Sequence, residues 1–266
     1  MIDAAAALIL AGFTVAPVAA GLLAVTLPAA IERDEERECR EALDLPLAAE
    51  HRPPPSSLRC AGCGAWNSPS WWLPLAGAGR CGTCGVRRPH RRRSAEIAVM
   101  VGTTATALAA PADALPFLLV ATWLLALLAV IDFEAWLLPD VLVLPLLWLG
   151  LLVSVSGPIV PADQAILGAA AGWGIGAGLR WGFRLVVHRD GMGGGDVKLL
   201  AALGAWAGPA LCPAILVAAS LLGLAAAAMR GLPRAMPFGP FLALAGWASI
   251  LWREQALALL YALLGG

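Results

Sequence analysis

From Ala4 to Ala30 the chain carries no charged side chain. A bilayer core is crossed by about 20 apolar residues in helical form, so this run reads as a spanning helix. Pro17 and Pro28 fall inside it and predict a kink. Seven more apolar segments follow, at about 95–110, 115–131, 140–156, 163–187, 198–209, 211–229 and 239–262. The 198–209 piece is short, and Arg253-Glu254-Gln255 interrupts the last one. The pattern predicts an all-α polytopic membrane protein with about eight transmembrane helices. Composition agrees: 14% of residues are charged, against about 25% in soluble domains. A cleaved secretory leader is not expected, because the positively charged start is missing and the first run is too long.

Charge fixes the expected orientation. With the N-terminus outside, the inner loops are 31–94, 132–139, 188–197 and 230–238. Of the 18 Lys and Arg, all but Arg253 then lie in those loops or on the helix turns that flank them. The positive-inside rule asks for this imbalance. The basic run Arg87-Arg88-Pro89-His90-Arg91-Arg92-Arg93 abuts an apolar segment, where a topology determinant belongs, and nothing points to nucleic acid. Three domains are expected: a first transmembrane helix (1–30), a cytosolic insertion (31–94) and a membrane-embedded domain (95–266).

The insertion opens with the charged stretch Ile31 to Arg40, read as a solvated helix, and continues through the linker Pro53-Pro54-Pro55. Cys60, Cys63, Cys81 and Cys84 then form two CxxC pairs with 17 residues between them. This is zinc-ribbon spacing, each knuckle lending two thiolates to one tetrahedral ion. Four thiolates leave no open position for water, so the expected zinc is structural. Trp66, Trp71 and Trp72, between the knuckles, suit packing or the bilayer interface better than ligand stacking.

Chemistry is expected at two carboxylates. Gly191-Met192-Gly193-Gly194-Gly195-Asp196-Val197-Lys198 places four glycines in five residues before a carboxylate and an apolar run. Glycines at this density disfavour a helix interior and suit a loop, here Gly191, Gly193, Gly194 and Gly195, along which a substrate chain can lie. Asp132 closes the run Trp123 to Ile131, in the last turn of a spanning helix. An anion there opposes the macrodipole, and burial in lipid adds about 2.5–3.5 kcal/mol. Taken alone, Asp132 is equally well read as a membrane-boundary marker. Two carboxylates brought within a few ångströms share one proton, and can then act as base on a water and acid toward a carbonyl.

Other side chains read more plainly. Asp140, after Pro139, suits a helix N-cap, and Lys198 an interfacial anchor; both are candidate supporting residues. Glu134 and Asp190 read as solvated. Ser154, Ser156 and Ser249 have no histidine placed to serve them, and His51, His90 and His188 lie in polar loops.

Gly191 to Leu199 resembles the GMGxGDxKL segment of the type IV prepilin peptidases, membrane aspartyl proteases of the GxGD class. Ile131 to Asp140 is similar to that family's first aspartate motif, and Pro237-Phe238-Gly239-Pro240-Phe241-Leu242-Ala243 to its C-terminal segment. The paired CxxC knuckles and the Ile31 to Arg40 stretch resemble the cytosolic loop of the long members. The resemblance implies Asp132 and Asp196 as catalytic aspartates in the bacterial inner membrane. It implies removal, at the cytoplasmic face, of the basic leader of pilin or pseudopilin precursors in pilus assembly and secretion. Long members also methylate the new N-terminus with S-adenosylmethionine. The first helix departs from the family pattern: Ala11 to Pro17 and Thr26-Leu27-Pro28 stand where a Gly-Ser…Asn motif and an Arg-Leu-Pro ending are usual. That departure bears on methyl transfer and not on the aspartates.

Two other classes compete with this reading. A non-catalytic membrane assembly factor, docking partners through its zinc ribbon, leaves the glycine stretch without a purpose. A transporter places its carboxylates near the bilayer midplane, whereas these two are expected at the inner edge.

Overall fold

The computed structural model describes residues 2–42, 83–85, 90–188, 192–230, 236–263 and 265. Among them the regular elements are helices: α1 (Ile2–Ala42), α2 (His90–Ala109), α3 (Leu115–Ala135), α4 (Asp140–Ser156), α5 (Ala162–Val187), α6 (Gly194–Ala207), α7 (Leu211–Arg230), α8 (Gly239–Leu251) and α9 (Arg253–Leu263). The all-α expectation holds. The windows Ile9–Pro28, Leu115–Ala135 and Leu211–Met229 are long and apolar enough to cross a membrane, while α4 and α8 are apolar but shorter. Outward faces are apolar too: Trp148, Leu152, Val155, Ile166 and Leu224 are each at least 60% exposed. A water-soluble monomer rarely offers apolar surface on this scale, whereas lipid accepts it.

Besides α2 beginning at His90 instead of 95 and α3 running to Ala135 instead of 131, three boundaries differ from the sequence reading. The first apolar run and the charged stretch after it form one 41-residue helix, continuous through Pro17 and Pro28. The last apolar segment breaks into α8 and α9 at Trp252. There Arg253 donates to the Ala207 carbonyl (3.3 Å) and to Gln164 Oε1 (3.2 Å), which ties the break to α5 and α6. The third difference is the start of α6, at Gly194 instead of 198.

α6 is the middle of the helix packing among the described residues. It packs against α4, α5, α7 and α8, and every residue from Leu199 to Ala207 is buried. A helix wrapped by neighbours has no solvent face, so its sequence is apolar all round. On α5, Gly168, Gly172 and Gly176 recur at four-residue spacing and face α6. A Cβ on Gly168 would meet the Gly204 carbonyl, and one on Gly172 the Leu200 carbonyl. Small residues at this spacing let two backbones touch, which is how helices associate where no hydrophobic effect separates helix from lipid.

Candidate active site

Asp132 lies in the last turn of α3, and its backbone carbonyl accepts the Trp136 N–H at 2.9 Å. Trp136 closes that helix in the left-handed region, φ 57°. Asp196 is the third residue of α6, and its Oδ2 accepts the Gly193 N–H at 3.2 Å. So one carboxyl sits at the negative end of a helix dipole and the other at a positive end. Both are buried, with 6% and 8% exposure. Both line a single cleft of about 770 Å³. Among the described residues, Asp132 Oδ2 is the buried side-chain polar atom without a hydrogen-bond partner. An orphaned buried oxygen is costly and marks a strained or functional position.

Three segments meet around these acids. Leu138, in the link between α3 and α4, is buried. A Cβ on Gly195 would stand 2.7 Å from Leu138 Cβ, and one on Gly239 would stand 2.6 Å from Asp132 Oδ2 and 3.2 Å from Leu138 Cδ1. The first turn of α6 and the start of α8 thus close on the link because both offer glycine there. Lys198 donates to both Asp140 oxygens at 2.8 and 2.6 Å.

Several expectations need correction. Asp140 is the first residue of α4 and Pro139 holds the N-cap position; the Asp140 carboxylate bonds Lys198 instead of a first-turn N–H, because a cation stands within reach. Lys198 is therefore an ion-pair partner and not simply an anchor. Gly194 and Gly195 belong to the first turn of α6, not to a loop. The space beside them is taken by Arg180 and Leu138, so among the described glycines of this stretch Gly193 is the one that lines the cleft. Glu134 accepts from Ser94 Oγ at 3.1 Å and is tied to α2 as well as solvated. His188 caps α5 and is exposed, as a loop histidine should be. Ser154 and Ser156 donate to helix carbonyls three residues back. Gly191, Asp190, Cys60, Cys63 and Cys81 lie outside the described residues, and Cys84 stands exposed in a turn.

Sequence reasoning missed most of the cleft wall. Trp136, Arg180, Phe183 and, from α7, Leu216, Val217 and Leu221 line it with the acids. Arg180 had a signal: a cation inside an apolar, glycine-rich helix is a functional candidate by default. The α7 wall had none, since its leucines and valine are ordinary in a spanning helix.

The sequence profile of the type IV leader peptidase family matches residues 119–228, which include both aspartates. A prepilin leader peptidase/N-methyltransferase of Pseudomonas putida is 40% identical over 254 residues, 90% of this chain and 88% of that protein. The protein of the same name from Pseudomonas aeruginosa is 38% identical, over 86% of this chain and 84% of its own length. That from Escherichia coli K12 is 47% identical over 44% of this chain and 54% of its own. No solved structure matches the chain.

Proposed function

The chain belongs to the type IV leader peptidase family, and we propose that it is a membrane aspartyl endopeptidase that removes the leader of type IV prepilins, with Asp132 and Asp196 as its catalytic pair. The observation that carries the reading is two buried carboxyls from different helices on one cleft, one with an oxygen left unpartnered. Asp196, at the positive end of α6 and bonded to an N–H, is the better placed to carry the charge. Asp132, at the negative end of α3, is the better placed to keep the shared proton. Asp196 then takes a proton from the attacking water as its oxygen bonds to the scissile carbonyl carbon, and Asp132 gives its proton to the carbonyl oxygen. The C–N bond breaks as the leaving nitrogen takes the proton held by Asp196 and one hydroxyl of the tetrahedral intermediate returns its proton to Asp132. This leaves a carboxylic acid and an amine and restores the shared proton. Neither zinc nor a methyl donor enters this sequence.

The cleft suits such a substrate. Leu216, Val217 and Leu221 give it an apolar wall from a helix long enough to span a membrane, fitting the apolar segment that follows a pilin leader. Exclusion of bulk water by such walls favours proton sharing. Orientation with the N-terminus outside and the acids at the cytoplasmic face rests on the distribution of Lys and Arg, as does the assignment of eight spans on the eight apolar segments. Methyl transfer to the new N-terminus, with S-adenosylmethionine as donor, is supported by the name that the relatives carry. A structural zinc in the insertion is supported by the CxxC spacing alone.

The deciding experiment co-expresses a pilin precursor with Asp132→Asn or Asp196→Asn. Each substitution should lower leader removal by at least about 10²–10⁴-fold, the contribution of general acid–base catalysis, while the protein still accumulates in the membrane. Normal processing by either variant ends the protease assignment. Mass spectrometry of the mature pilin N-terminus reads cleavage and methylation together.

A further inference from the structure

The Asp140–Lys198 pair is half exposed on both sides, and a pair in that setting adds little to stability. Its place in the chain gives it another use. Lys198 follows Asp196 by one turn's fraction on α6, and Asp140 begins the helix that α3 leads into after Asp132. The link between them is stiff: Pro139 sits at φ −70°, and Leu138 is wedged against Gly195 and Gly239. A proline fixes its own φ, and the residue before it is confined to extended conformations.

We propose that the Asp140–Lys198 ion pair, acting through the Leu138-Pro139 link, is a clamp that sets the separation of the Asp132 and Asp196 carboxyls. Both residues are positioning residues, since neither lines the cleft. The bidentate contact, 2.8 and 2.6 Å to the two oxygens, holds the start of α6, at its fifth residue, against the first residue of α4. Leu138 supplies the stop that keeps the two from closing further. Without the pair, the N-terminal turn of α6 keeps its packing on Leu138 but loses the bond that fixes its distance from the α3–α4 link. Proton sharing is lost over displacements much smaller than those that unfold a helix.

The clamp rests on the peptidase reading, and its test is built so that the two can fail separately. Lys198→Met and Asp140→Asn should each lower kcat about 10- to 100-fold, the scale of an ångström-sized misplacement. KM for a precursor should stay within about twofold and the melting temperature in detergent should be unchanged, as expected of an exposed pair. Lys198→Arg, which keeps charge and reach, should retain most of kcat. Wild-type kcat in Lys198→Met, an Arg variant as impaired as the Met variant, or a loss confined to KM that scales with the leader's basic charge would each overturn the clamp; the last would make Asp140 a leader-binding site instead. A second readout needs no activity. In an Asp132→Cys/Asp196→Cys protein, a short thiol cross-linker should join the two positions several-fold more slowly once Lys198 is Met. Equal cross-linking with and without Lys198 removes the clamp, whether or not the aspartates prove catalytic.

Discussion

A methyl group at Gly239 would reach to 2.6 Å from Asp132 Oδ2, so Gly239→Ala tests how closely that carboxyl must be held. The expected outcome is a fall in precursor cleavage on the order of 10²-fold with the protein still in the membrane, read by gel shift of the pilin. Trp136 poses a different question, because its φ of 57° is unusual for a residue with a Cβ and its ring lines the cleft. Trp136→Gly should relieve about 1 kcal/mol of backbone cost. Thermal stability in detergent should therefore hold or rise, while KM for the precursor rises with the loss of the ring. At this scale the acids were legible because each is a misfit in sequence: Asp132 ends an apolar helix, and Asp196 stands between four glycines and the start of an apolar run. Gly239 was legible only through resemblance, since nothing about a lone glycine announces which carboxyl it faces. Asp140 and Lys198 were named singly and not as partners, because 58 residues separate them and no local pattern links the two.

Among the elements, the α5–α6 contact depends most on residue size. Gly172→Leu would drive a side chain into the Leu200 carbonyl, and overpacking of this kind costs about 1–3 kcal/mol. The expected result is a lower melting temperature in detergent, together with reduced cleavage because α6 carries Asp196. The α2–α3–α8 junction is held by polar bonds: Thr122 Oγ1 lies 2.8 Å from Thr106 Oγ1 and accepts Trp247 Nε1–H at 3.0 Å. Thr122→Val should lower stability by about 0.6–1.7 kcal/mol, the range for hydrogen bonds between membrane helices, and should leave cleavage nearly unchanged. Helix existence was legible from apolar run length. The glycine stripe on α5 was present in the sequence as a four-residue repeat but passed unread, since glycine spacing has meaning only when a partner helix is known. The break between α8 and α9 was foreshadowed by Arg253-Glu254-Gln255, whereas the continuity of α1 through two prolines was not. Spanning helices tolerate proline when neighbours compensate the freed backbone groups, and that compensation is not a local property.

For the whole molecule, the expected topology places residues 31–94 inside and the α4–α5 connection outside. A membrane-impermeant maleimide should label Pro158→Cys in intact cells and label Arg93→Cys only after permeabilisation; the reverse pattern refutes the orientation. Replacing Cys60 by Ser should reduce bound zinc in the purified protein as measured by elemental analysis, and unchanged metal content rules out the four-thiolate site. The amino-acid order alone determined that this chain is helical and membrane-embedded, and which two acids are its candidate chemistry. Run length, charge asymmetry and the expense of a carboxylate in lipid are all properties of short stretches. Only the tertiary structure decided that Asp132 and Asp196 open onto one cleft, that Leu138 wedges between Gly195 and Gly239, and that Lys198 reaches Asp140. Those are relations between residues far apart in sequence, set by how closely packed helices can approach, and close approach depends on the shapes of both partners at once.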